Sequence, residues 1–230
     1  MTNVCIYHIG EIYLFEYYLK PGEYEIDPDD KVTRLLSEAE EQEKKGGLML
    51  ALQDAEKAKD LNPVSTRVFE KLVSLNFRLN RVPVIRSLVD EAYPYLATPS
   101  ELAWYYRWKG FCDLESYQPE QAEVLYRYSM LFEKSEKANE QAKEEIHYLE
   151  EALKKKMPDY TTAQLQEKLK GYGLPTGPSD ITIALYYRAG EEAERKNLLQ
   201  QALDCYTIVD LWSKDREVEE RIQELEQKLS

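Results

Sequence analysis

The sequence predicts an all-α protein assembled from stacked helical hairpins, and three observations predict it. A pattern of small and aromatic side chains recurs along the chain with a period of 34 residues between its first two copies, and a period in that range marks a repeat architecture. Nine glycines and ten prolines in 230 residues fall below the ~12% that these two types contribute on average, which favours long uninterrupted elements. Where the repeat pattern lapses, apolar residues still fall at steps of three and four, the period of a helix with one buried face.

The composition narrows the function classes. Lys and Arg number 30 against 43 Asp and Glu, for a net charge of -13, which repels a phosphate backbone, so nucleic acid is not expected as a partner. With 43% hydrophobic and 11% aromatic residues, the chain has enough apolar surface for a core and is not a disordered acidic tail. Cys5, Cys112 and Cys205 are widely separated and odd in number, which suits a reducing, cytoplasmic setting better than a disulfide framework. The apolar stretch from Val4 to Leu19 carries Glu11 and Glu16 and has no basic residue before it. It therefore reads neither as a leader nor as a membrane anchor.

The first copy of the pattern holds Leu35, Ala39, Ala51, Ala55, Ala58 and Pro63; the second holds Phe69, Val73, Ile85, Val89, Ala92 and Ala97, with Pro99 just beyond. The third has Tyr106, Gly110, Ala122 and Tyr126, and the fourth Tyr186, Gly190, Ala202 and Tyr206. Small residues at two fixed places allow two antiparallel helices to approach closely, Gly110 facing Ala122 and Gly190 facing Ala202, while the tyrosines fill the space beside the contact. Gly46-Gly47 breaks the first hairpin, and Pro83 and Pro119 open the second helices of the next two.

This spacing resembles the tetratricopeptide repeat, a 34-residue helix-turn-helix unit, over residues 32–134 and 183–216. The resemblance implies a right-handed α-α superhelix. The second copy replaces the small pair with Val73 and Ile85. Lys134 and Lys214 stand where the third and fourth copies would carry proline, so those second helices are expected to run on. Residues 1–31 are expected to form an N-terminal segment, read as a helix rather than a strand, that caps the first repeat, and 32–134 to form three repeats. Residues 135–182 form an irregular helical pair with a Gly/Pro loop, and 183–230 the fourth repeat with a capping helix. Within the irregular pair, Ala138, Ala142, Ile146, Leu149 and Leu153 make one stripe, and a shorter helix runs from about Thr161 to Lys170 before Gly171, Gly173 and Pro175 stop it. The stretch 171–179 reads as the most loop-like of the chain, a candidate hinge or proteolytic nick. Val218, Ile222, Leu225 and Leu229 form the apolar stripe of the capping helix.

Catalytic material is sparse. Glu144 and His147 lie one helical turn apart, but a helical metal centre needs a second such pair and His8 has none. No zinc, calcium or phosphate-cradling pattern occurs, so no metal or cofactor is expected. The cysteines read as small buried hydrophobes rather than nucleophiles.

In tetratricopeptide proteins the first helices line a concave groove that holds a peptide. The resemblance places Arg67, Glu70, Ser74, Phe77 and Arg78 there from the second copy. It adds Trp104, Arg107, Phe111, Leu114 and Glu115 from the third, and Tyr187, Glu191, Glu194 and Arg195 from the fourth. Trp104 and Arg107 are the first choices for anchors, since Trp and Arg dominate interface energies. Adaptors that clamp chaperone tails resemble one another in a Lys and an Asn where this chain has Leu36 and Glu40, so that subfamily is disfavoured. The expectation is a non-enzymatic scaffold for a protein or peptide of basic or mixed charge. The rivals are a peptide-sensing regulator and a structural homodimer formed through the aromatic N-terminus.

Overall fold

Residues 2–156 and 158–230 are described by the structure, a computed structural model. Among them are twelve α-helices and one two-stranded parallel sheet. The N-terminal segment contains β1 (Thr2–Val4), α1 (Ile9–Leu14), a π-helical turn (Phe15–Leu19) and β2 (Tyr24–Ile26), with Thr2 opposite Tyr24 and Val4 opposite Ile26. The helices that follow are α2 (Lys31–Lys44), α3 (Leu48–Leu61), α4 (Thr66–Arg78), α5 (Val82–Ala92), α6 (Pro99–Glu115) and α7 (Pro119–Ser129). The remainder are α8 (Glu136–Leu153), α9 (Thr162–Gly171), α10 (Asp180–Arg195), α11 (Leu199–Ser213) and α12 (Arg216–Leu229). α2 with α3, α6 with α7 and α10 with α11 pair as helical hairpins in the register that the repeat pattern sets.

One backbone feature fixes that register in all four copies. Gly46, Asn80, Tyr117 and Asn197 all have positive φ, between 56° and 81°, and each lies seven residues after the first small position of its copy. A left-handed residue there ends the first helix, and the next amide turns back onto it. Gly47 N–H donates to the Gln42 carbonyl at 2.8 Å, Gln118 N–H to Asp113 at 2.9 Å, and Leu198 N–H to Ala193 at 2.8 Å.

The described chain divides into two compact units, one of residues up to Leu79, Pro94–Ala97 and Ser179–Ser230, the other of Asn80–Tyr93 and Thr98–Pro178. The boundary thus falls inside the second copy, the one that lacks a small pair, and the first and fourth copies share a unit.

In the first unit α2 pairs with α3, α4 packs on α3, α10 pairs with α11, and α12 covers α11. The N-terminal segment is more than a cap on the first repeat. Its Cys5 N–H donates to the Leu61 carbonyl at the end of α3 (2.8 Å) and Asn62 donates to Glu11 (3.0 Å), while α1 packs on α10 and α11 and Ile9 N–H donates to Gln201 (2.8 Å). The reason is steric: Gly10 has no Cβ, so the α1 backbone closes directly on the Tyr186 ring. Residues 94–97 add a second tie, through Thr182 Oγ1 donating to Pro94 (2.5 Å) and Trp212 Nε1 donating to Ala97 (2.6 Å).

In the second unit α6 pairs with α7 around Gly110, where an added methyl would lie 3.2 Å from the Ala122 carbonyl and 3.3 Å from the Tyr126 ring. The small contact anticipated between Gly110 and Ala122 is therefore present. At Gly190, in the first unit, the nearest atoms all belong to Tyr206, starting at 2.8 Å. The glycine there makes room for the ring. In the second unit α5 packs on α6, and α8 and α9 each pack on α7. The α8 stripe buries Ala142, Ile146 and Leu149, and Thr161 caps α9 reciprocally with Gln164.

One expectation fails locally. Neither α7 nor α11 runs on: α7 stops at Ser129 and α11 at Ser213, because Ser135 and Asp215 just downstream accept backbone amides at the starts of α8 and α12. The loop 171–178 is tied down within the second unit, and the boundary with the first falls at its end, between Pro178 and Ser179. Tyr106 donates to the Pro175 carbonyl (3.0 Å), Tyr128 to Thr176 (2.6 Å) and Tyr93 to Gly177 (3.0 Å), so three tyrosine hydroxyls hold three consecutive carbonyls. Tyr106 and Tyr128 are fully buried, and a buried hydroxyl requires a partner that this loop supplies.

Candidate functional site

The first copies bring their groove-facing residues together. Leu36 and Glu40 of α2 and Arg67, Glu70, Lys71 and Ser74 of α4 line one open cleft of about 280 Å³. Further along α4, Phe77 is 50% exposed, and Arg78 donates to Glu43 at 2.7 Å. Lys71 reaches Glu43 from the other side at 3.0 Å. The Arg78 hydrogen bond holds the Glu43 carboxyl below its ordinary range against the opposing effect of burial, with Lys71 assisting. The cleft thus has an apolar floor at Leu36, a mixed-charge wall and an aromatic residue beyond one end.

The third copy is largely occupied by the chain itself. Arg107 is ion-paired with Glu133, just after α7. Trp104 is half-buried, and Phe111 is half-buried with its ring edge-on to Trp108 at 5.6 Å. Leu114 packs against Ala122, Tyr126, Ile146 and Leu149, so the stripe of α8 covers that position. The connection after α7 thus already supplies a carboxylate to Arg107.

The fourth copy meets α12. Tyr187 donates to Glu217 (3.2 Å), and its ring stands edge-on to Tyr206 at 5.9 Å. Glu191, Glu194, Arg195 and Arg221 line an open cavity of about 590 Å³. Arg195 itself pairs with Glu192 at 2.7 Å. Arg221 was not singled out from sequence, where α12 showed only its apolar stripe. Its position one residue before Ile222 places it on the flank of that stripe, which is the available signal.

Residues considered for chemistry sit in inert surroundings. All three cysteines are free and buried, and burial pushes the Cys112 thiol up to about 11 and the Cys205 thiol up to about 12, so neither is a thiolate near neutrality. His147 is exposed and lies 3.4 Å from Glu151. Among the described residues no cluster of His, Cys, Asp and Glu is placed to hold a metal ion, and no helix is long and apolar enough to cross a membrane. Of the N-terminal aromatics, Phe15 packs edge-on against Tyr24 and Tyr18 against Tyr95, leaving Tyr7 and Tyr17 exposed.

No family model matches the chain, and no curated protein matches it. Among solved structures the chain is similar to one described as the first TPR of Spaghetti (RPAP3) bound to the HSP90 peptide SRMEEVD. The two are 20% identical with a TM-score of 0.46, over 54% of this chain and 93% of that one.

Proposed function

We propose that this chain is a non-enzymatic interaction scaffold that takes an extended peptide or a partner segment of mixed or basic charge along the first helices of its repeats. The reading is carried by one observation: the groove-facing residues of the first two copies converge on a single cleft, with Leu36 below, Glu40, Arg67, Glu70 and Lys71 around it, and Phe77 exposed on the same helix. An apolar floor with both signs of charge on the wall suits a peptide backbone carrying one apolar side chain flanked by charged ones. Arg67, Glu70, Phe77 and Arg78 are the partner-binding residues that this reading weights most. Trp104, Arg107, Phe111, Tyr187 and Arg195 serve it less directly, being engaged or half-buried within the chain. The test is capture of binding proteins by the purified chain, compared with Arg67→Ala and Phe77→Ala together. Weaker capture with unchanged helical circular dichroism is expected, and equal capture removes the cleft from the mechanism.

A further inference from the structure

Arg221 is held as a bound arginine ligand would be. One nitrogen donates to Glu194 (3.0 Å) and to the Tyr206 hydroxyl (2.7 Å), and the other donates to Glu217 (2.9 Å) with Glu191 at 3.9 Å. The guanidinium also lies over two rings, 5.8 Å from the centre of Tyr187 and 5.4 Å from that of Tyr206. A flat, forked cation that donates from both terminal nitrogens and lies beside two rings is what these groups select, and an ammonium would satisfy only part of them. Three carboxylates surround this one guanidinium, so the local charge stays negative while it is in place, and the open cavity of about 590 Å³ lies against the same residues. The helix that delivers Arg221 is lightly held: among the side chains of α12 only Val218 and Leu225 are buried, and most of the rest are charged. Elements with few buried contacts open at the low end of the local stability range.

We propose that the face formed by Tyr187, Glu191, Glu194 and Tyr206 is a recognition site for an arginine side chain of a basic peptide, and that Arg221 of α12 fills it in cis until such a peptide displaces it. Tyr187, Glu191 and Glu194 stand at expected groove-facing positions and Tyr206 packs directly on Tyr187, and charge complementarity with a chain of net charge -13 points to a basic occupant. The inference rests on the peptide-groove reading given above and names the chemistry of its partner at the fourth copy.

The test uses the full chain and a fluorescein-labelled tetra-arginine peptide, read by anisotropy at physiological salt. Arg221→Gln vacates the site and is expected to tighten binding about tenfold, and Arg221→Lys to tighten it less. Arg216→Gln makes the same charge change on the same helix, at a residue paired only with Glu220 at the surface, and is expected to change little. Adding Glu194→Gln to Arg221→Gln removes the gain. Equal behaviour of Arg221→Gln and Arg216→Gln overturns the proposal, since general attraction to an acidic chain then explains the binding; so does equal affinity for tetra-lysine. If Arg221→Gln loses helical signal, Arg221→Lys against Arg216→Gln decides alone. Absence of a gain here, with capture still lost in the Arg67→Ala and Phe77→Ala variant, sinks the arginine site and leaves the α2–α4 cleft standing. A gain abolished by Glu194→Gln supports the site whatever that cleft does.

Discussion

Gly10 and Tyr186, far apart in sequence, are in direct contact: a methyl placed on Gly10 would lie 2.4 Å from Cε1 of the tyrosine ring. Because Tyr186 is buried, the ring has little room to swing away. Overpacking of this kind costs about 1–3 kcal/mol, partly offset by the roughly 0.5–1 kcal/mol that alanine gains over glycine in a helix. Gly10→Ala is therefore expected to lower stability by about 1–2 kcal/mol in urea, with the slope of the transition unchanged. An unaltered midpoint would mean that α1 is not seated on α10.

Tyr117 occupies the left-handed turn position that Gly46, Asn80 and Asn197 hold in the other copies, and its side chain is 95% exposed. A left-handed backbone costs an ordinary residue about 1–2 kcal/mol, less for asparagine. Tyr117→Asn should raise stability by about 1 kcal/mol, visible as a higher thermal midpoint. A lower midpoint would show that the ring contributes a contact worth more than the strain.

The clamp on 175–177 predicts how the chain responds to proteases. Despite three glycines and two prolines, the segment 171–178 should resist limited proteolysis in the intact protein. Tyr128→Phe strands the Thr176 carbonyl and removes a hydrogen bond of about 1 kcal/mol. Faster cleavage between 171 and 178 is the expected result, and indifference to Tyr128→Phe would argue that the hydroxyl does not secure the loop.

Glu43 carries a pH signature. Its native carboxyl is held below its ordinary value of 4.5, first by Arg78 and then by Lys71 against the cost of burial. The unfolded chain therefore binds its proton more readily, so the contribution is fully present above the ordinary value and is lost as pH falls through the depressed native one. Glu43→Gln is expected to cost less than about 1 kcal/mol at neutral pH, since the pair lies near the surface. The gap from the parent should narrow in acid and in high salt. A gap that stays constant from neutral pH into acid would point to packing instead of charge.

Much of the helical layout was legible because it depends on local and short-period information. The spacing of Gly110, Ala122 and Tyr126 sets how two neighbouring helices meet, and amphipathic steps locate α8, α9 and α12. Those constraints act within a few turns of chain, so the sequence alone determined the hairpins, their register and the all-α class. It also determined the net charge of -13. The tertiary structure decided the partnerships between distant segments: α1 on α10, the tyrosine clamp on 175–177, Glu133 on Arg107 and Arg221 on Glu194. None has a periodic signal, because each depends on where two separated surfaces come to rest. Gly10 looks like any glycine until Tyr186 lies against it, and Arg221 looks like a solvated charge until α12 folds back. Which of the expected binding positions remain open therefore follows from packing rather than from residue type, because the chain's own carboxylates, guanidinium groups and helix faces compete for them.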